Sequence, residues 1–270
     1  MSKTASDREL LTAIADLLPP EITTPEQVAS RIGGPGPVLV TFCNPLSVLM
    51  ARKHVDFIPL LKRFDLVHAD GILLAKSASG IRRRPIARLS YDGNSVGLAC
   101  WNRLKEINGT VALVGGVEGV AQAAGNVLSE SGLNVVYTHS GFFDGPEHRA
   151  RVMQELIQLN PTAVISGMGA PHQERFVVAL VDAGYQGFAA TCGGYLDQLS
   201  KAGKASHYPE WVNRLNLRFV HRVLSEPRRM LSRYVFDYAP FYRAATSSAV
   251  AGTFRNVGLG GRREESRSGL

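Results

Sequence analysis

The chain has 270 residues, 45% of them apolar and 20% charged, with a net charge of +7. That length suits one large domain or two small ones with a substantial core, and an odd set of three cysteines (Cys43, Cys100, Cys192) without a CxxC pair argues against a disulfide scaffold or a structural zinc. No apolar run approaches the ~20 residues that cross a bilayer, and the opening "MSKTASDRELLTAIADLL" carries acids inside its apolar pattern rather than a basic leader, so a globular cytoplasmic protein is expected.

The charge is unevenly placed. Residues 201–270 hold 13 Lys/Arg against 5 Asp/Glu, leaving 17 against 18 for residues 1–200. The basic character therefore belongs to the C-terminal quarter, and it points to an anionic partner there: a membrane surface, a diphosphate or a nucleic acid.

In chain order, short β-rich runs recur at "VLVTF" (38–42), "DLVHA" (65–69), "VALVG" (111–115), "NVVYT" (134–138), "TAVISG" (162–167) and "QGFAAT" (186–191). Between most of them lie stretches of helical spacing, among them "VEGVAQAAGNVLSES", "PEHRARVMQELIQL" and "PHQERFVVALVDA". The alternation predicts an α/β fold: a mainly parallel, Rossmann-like sheet flanked by helices over residues 1–204. Ligands of such sheets bind beyond the carboxyl ends of the strands, and the unusual clusters here fall at those ends.

After the first run, "TFCNPLS" offers Asn44, able to orient a hydroxyl, although Asn-Pro also starts turns. After the second, "HADG" offers Asp70. Before a glycine it caps a helix or forms an Asx turn; as a functional group it is a carboxylate fit to take a proton from an incoming hydroxyl. Period-two alternation puts His68 on Asp70's face, where it could tune the acid. Arg82, Arg83 and Arg84 read as solvated surface. Arg88 and Asp92 are better site candidates, because they border the polar loop "LSYDGNS" and the helix that follows.

"GGVEGV" follows the third run and resembles a phosphate-binding turn without completing GxGxxG; Gly115, Gly116 and Gly119 would let backbone approach a diphosphate, or a helix pack tightly on the sheet. No acidic partner at nicotinamide spacing follows it. Asp-x-Asp, HExxH and Cys/His clusters are missing from the sequence, so chemistry without a metal or cofactor is expected, with arginines and helix N-termini offsetting phosphate charge. In "GMGAPHQERF", Gly169 and its neighbours form a turn that feeds a helix start, a place for an anion or for a tight turn with Pro171 near the first helical position. "TCGGYLD" brings Gly193, Gly194 and Asp197 to the last strand end.

From about residue 205 the pattern becomes "WVNRLNLRFVHRVLSEPRRMLSRYVFDY". Arg214, Arg218 and Arg222 repeat at i, i+4 and i+8 beside a stripe of Leu215, Phe219 and Val223, and Pro227 precedes Arg228, Arg229 and Arg233. This is a basic amphipathic appendage over 205–245, either solvated or suited to anionic lipid or a lipid diphosphate. Residues 246–270 are small, polar and Gly-rich, and a disordered tail is expected.

Taken in order, "TFCNPLS", "LVHADGILL", "ARLSYDGNS", "VALVGGVEGVAQAA", "GMGAPHQERF", "CGGYLDQLSKAG" and the arginine-rich segment resemble the WecG/TagA/CpsF family, glycosyltransferase family 26, over roughly residues 36–236. The resemblance implies an inverting, metal-free bacterial enzyme that moves a sugar from a UDP-sugar donor to a polyprenyl-diphosphate-linked sugar, usually forming a β-1,4 bond. It implies Asp70 as base, and Asn44, Arg88 and Gln173 in the substrate site. It also implies an appendage over 205–236 that supplies arginines, Arg214, Arg218, Arg222 and Arg229 being the candidates here, at the anionic inner face of the plasma membrane. No nucleic acid is implied, and a homo-oligomer is left open. Two features depart from the family pattern. Thr41 is followed by Phe42 and Cys43 where many members read Thr-x-Asn-Pro or Thr-Ala-Asn, and "RLSYDGNS" differs from the Gly-Ile-Asp loop of the N-acetylmannosamine transferases. The second is closer to xanthan-type members and favours glucose, with N-acetylmannosamine or its uronate as alternatives. A non-catalytic nucleotide sensor that docks through its basic tail is the rival from another class.

Overall fold

The computed structural model describes residues 5–19, 23–202 and 233–246. Among these, six strands form one sheet: β1 (Val38–Cys43), β2 (Leu66–Ala69), β3 (Thr110–Gly115), β4 (Asn134–His139), β5 (Ala163–Gly167) and β6 (Phe188–Thr191), in the order β2-β1-β6-β5-β3-β4. Every pairing is parallel, so the sheet is wholly parallel rather than mainly so.

Parallel sheets need both faces covered, and the strands alternate accordingly. Leu39, Ala112, Val114, Val164 and Ala189 point to one face; Val38, Val40, Val111, Leu113, Ile165 and Ala190 point to the other. The first face is covered by α1 (Asp7–Leu17), α3 (Leu46–Lys53), α4 (Phe57–Leu61), α5 (Ile72–Arg82), α8 (Pro146–Leu159) and α9 (His172–Asp182). The second is covered by α2 (Pro25–Ala29), α6 (Val96–Glu106), α7 (Val120–Glu130) and α10 (Tyr195–Ala202). Helix starts obey local chemistry: Ser6 and Glu9 form a capping box on α1, and Thr24 and Gln27 form another on α2 with Pro25 at its first turn.

Strand order fixes the site. From β3 the chain crosses outward to β4, whereas from β5 it crosses the opposite way to β6, and β3 and β5 are neighbours. Connections that leave adjacent strands in opposite directions open a crevice at their carboxyl ends. Here that point lies at Gly115 and Gly167, which pair in register. Glycine is required there, since a Cβ on Gly115 would stand 2.5 Å from the Gly167 carbonyl oxygen.

The chain beyond the α/β layers returns to them. A π-helical turn (Arg233–Asp237) leads into a helix over 239–246, and Phe241 and Ala244 join the core cluster that includes α1, while Arg243 meets Asp7 at 3.0 Å. The end of the expected 205–245 appendage thus packs on the core. Its basic helix, with Arg214, Arg218, Arg222 and Arg229, and the tail beyond residue 246 lie outside the described residues. Of the arginine run expected at the surface, Arg82 pairs with Asp16 at 2.5 Å, and Arg84 donates to the carbonyls of Leu18 and Pro19 beyond the end of α1.

Candidate active site

A cleft of about 1150 Å³ opens at the carboxyl ends of the strands. Its lining includes Asn44, Asp70, Arg88, Asp92, Gly116, Gly169, Gln173, Gly193, Gly194 and Asp197, residues spread over 154 positions of sequence (from 44 to 197). Gly115 lies behind this surface, buried where β3 closes on β5.

Asp70 continues directly from β2. Its N–H donates to the Cys43 carbonyl at 2.6 Å, extending the β1–β2 ladder by one residue, and Gly71 at φ +93° turns the chain into α5. Arg88 is brought beside this end by a single parallel bridge between Ala69 and Arg88, in which the Leu89 N–H donates to the Ala69 carbonyl at 3.0 Å. From Arg88 a polar chain runs through the loop: Arg88 Nη2 donates to Ser90 Oγ (3.5 Å), and Ser90 Oγ donates to Asp92 Oδ2 (2.5 Å). Asp92 Oδ1 accepts from the Asn94 N–H (2.9 Å). Beneath it Tyr91 is buried edge-on against Trp101 and Tyr195, with centroids 5.7 and 6.0 Å away, so the loop is anchored by aromatic packing. Asn44 takes the Asx turn its Asn-Pro dipeptide suggested: Oδ1 accepts from the Leu46 N–H at 2.9 Å, with the side chain at the cleft wall.

On the opposite side the turns are tied by backbone. The Gly116 N–H donates to the Gly167 carbonyl (3.1 Å), and the Gly141 N–H donates to the Gly116 carbonyl (2.8 Å). The Gly116 donor is therefore already engaged, and the "GGVEG" turn serves close packing at this position. Phe142, 69% exposed, stands at the lip of this bank. Ala170–Pro171 is a cis peptide, and α9 starts at His172.

Gln173 is held by the protein at both ends of its amide: Oε1 accepts from the Gly193 N–H (3.1 Å) and Nε2 donates to Glu174 Oε1 (2.9 Å). Thr41 Oγ1 also donates to Glu174 Oε1 (3.3 Å) and lies 2.8 Å from Thr191 Oγ1. The Thr41 hydroxyl thus lies under the cleft floor. Burial of Glu174 raises its pKa, its hydrogen bonds opposing that shift.

His68 is buried with its ring 5.8 Å from Phe42, and desolvation lowers its pKa to about 4, so it is neutral at ordinary pH. Cys192 also lines the cleft, but burial pushes its thiol up to about 12, which removes it as a thiolate nucleophile near neutrality. Among the described residues no three His, Cys, Asp or Glu side chains gather as a cation site, and no helix is long and apolar enough to cross a membrane. Sequence reading passed over Ser90, Phe142, Glu174 and Tyr238, all but Glu174 at the cleft wall. Phe142 had a signal, an aromatic pair in a turn that is otherwise small and polar.

A crevice at the switch point of a parallel sheet is where α/β proteins take their ligands. The family model for the glycosyl transferase WecG/TagA/CpsF family matches residues 13–254, and the chain belongs to that family. It is 27% identical over 205 residues to the UDP-Gal:alpha-D-GlcNAc-diphosphoundecaprenol beta-1,4-galactosyltransferase of Shigella boydii, covering 75% of this chain and 83% of that one. It is 26% identical over 199 residues to the N-acetylglucosaminyldiphosphoundecaprenol N-acetyl-beta-D-mannosaminyltransferase of Bacillus subtilis (strain 168), covering 72% and 75%. A solved extracellular ligand-binding receptor from Rhodopseudomonas palustris HaA2 overlaps at a TM-score of 0.31 and 13% identity, over 62% of this chain and 65% of that one, too slight a likeness to carry an argument.

Proposed function

We propose that this glycosyltransferase moves an uncharged hexose from a UDP-sugar to a polyprenyl-diphosphate-linked N-acetylglucosamine, forming a β-1,4 bond in bacterial surface-polysaccharide assembly. Both relatives are named for undecaprenol-linked N-acetylglucosamine acceptors, and one for a galactosyl donor. The loop that departs from the N-acetylmannosamine pattern favours glucose, and the galactosyl relative favours a hexose without choosing between the two.

The observation that carries the reading is Asp70 at the cleft wall, with Arg88 across from the residue before it. In a single displacement, the acceptor hydroxyl attacks the anomeric carbon as the bond to the UDP oxygen breaks, and its proton passes to the Asp70 carboxylate. The anomeric configuration inverts. UDP leaves with the bonding electron pair, its charge offset by Arg88 and the strand-end turns; general-base assistance of this sort contributes ~10²–10⁴ in rate. Asn44, Asp92, Gly169, Gly193, Gly194 and Asp197 shape the donor and acceptor subsites. Arg214, Arg218, Arg222 and Arg229 hold the acceptor diphosphate at the cytoplasmic leaflet.

The test is a donor panel of UDP-glucose, UDP-galactose and UDP-N-acetylmannosamine with a prenyl-diphosphate N-acetylglucosamine, with and without EDTA. Hexose transfer that is insensitive to EDTA is expected. Transfer from N-acetylmannosamine alone would overturn the donor assignment, and tight UDP binding without any transfer would favour the sensor.

A further inference from the structure

Beneath the cleft floor, Thr41, Thr191, Gln173 and Glu174 are at most 4% exposed, a polar group inside two apolar clusters. Buried polar networks cost stability relative to well-packed apolar side chains unless every member is satisfied, so their placement needs a reason. The hydrogen bonds run in a fixed direction. A backbone N–H can only donate, so the Gln173 atom facing Gly193 is its oxygen, and its amide nitrogen must face Glu174. Glu174 Oε1 must then accept, which it does from both Gln173 and Thr41. A hydroxyl has one proton; since Thr41 gives its own to Glu174, Thr191 donates to Thr41. The relay starts on β6 and β1, passes through α9, and ends on the 192–194 turn at the cleft wall. Gly193 stands at φ +56° there, one residue before the exposed Gly194, and α10 with Asp197 follows.

We propose that Glu174 is a positioning residue for the transfer reaction: through Gln173 it sets the 192–194 turn and the start of α10 against the donor. The inference rests on the transferase reading for its kinetic arm and on the geometry alone for its binding arm. Glu174 Oε2 is buried with no hydrogen-bond partner among the described residues, and burial raises the carboxyl's pKa. A glutamine amide oxygen in the place of Oε1 accepts the same two hydrogen bonds, so Glu174→Gln preserves the relay. Glu174→Leu removes the acceptor and frees the Gln173 amide to turn over.

The experiment compares full-length wild type, Glu174→Gln and Glu174→Leu for UDP affinity by calorimetry and for kcat and KM toward the donor, after circular dichroism and melting have verified folding. Glu174→Leu is expected to weaken UDP binding and lower kcat/KM about 10-fold, the effect of one lost orienting hydrogen bond, with Glu174→Gln within about 3-fold of wild type. Should Glu174→Leu fail to fold, Gln173→Met, which spares Glu174 and Thr41, carries the same expectation for UDP affinity. UDP affinity and kcat/KM of a folded Glu174→Leu that match wild type would overturn the proposal, as would a Glu174→Gln as defective as the leucine variant. A wild type that transfers no sugar, yet loses UDP affinity on Glu174→Leu, contradicts the transferase reading and leaves the relay standing.

Discussion

The two banks of the cleft are built in opposite ways. On the β1–β2 side the work is done by side chains: Asn44 in an Asx turn, Asp70 at a strand end, and the chain from Arg88 through Ser90 to Asp92. On the β3–β5 side Gly116, Gly141 and Gly167 link the strand ends through backbone hydrogen bonds. One bank carries charge that can move a proton and steady a developing one. The other sets Val117, Phe142, Met168 and Arg149 around turns tied by main chain. Under the proposed function, bond-making falls to the first bank.

Breaking the ionic bank has the largest expected effect. Asp70→Asn keeps the shape of the strand end and removes the proposed base, and turnover is expected to fall by ~10²–10⁴. The glycine bank fails differently, through stability. In Gly115→Ala the new methyl meets backbone atoms of Gly167 at 2.5–2.7 Å, which cannot rotate aside. A loss of about 1–3 kcal/mol is expected in denaturant titrations, as for overpacked cores, with the midpoint moving and the slope unchanged; an unmoved midpoint would contradict the close approach of β3 and β5. An effect that vanishes at neutral pH sharpens the boundary under the ionic bank. His68 stays neutral in the fold down to about pH 4, whereas the unfolded chain takes up its proton below ~6.5. Stability is therefore lost as pH falls from ~6.5 through 4, by up to about 3 kcal/mol. His68→Phe should flatten that part of the curve relative to wild type, and parallel curves for the two proteins would remove His68 as its source.

Much of the fold was legible because its signals are local. The six strand runs and the helix "PEHRARVMQELIQL", which coincides with α8, follow from periodicity, and the strand ends pointed to one crevice. Roles that depend on tertiary pairing were not legible. The bridge that sets Arg88 beside Ala69 joins segments with no regular strand pattern between them. The protein partners that hold the Gln173 amide at both ends, Gly193 and Glu174, carry no sequence cue to that pairing. Only the burial had a clue, in "HQERFVVAL": Gln173 falls three and four residues before Phe176 and Val177, and Glu174 three and four before Val177 and Val178, so helical spacing already turned both toward the core. The inward face of α9 holds the polar relay because Thr41 and the Gly193 N–H meet Glu174 and Gln173 there.

The most direct measurement of the central claim is kcat of Asp70→Asn at saturating donor and acceptor, read beside its UDP dissociation constant. UDP binding within a few-fold of wild type, with turnover down ~10²–10⁴, is the predicted result. Turnover near wild type with binding intact would remove the base from Asp70 and contradict the account.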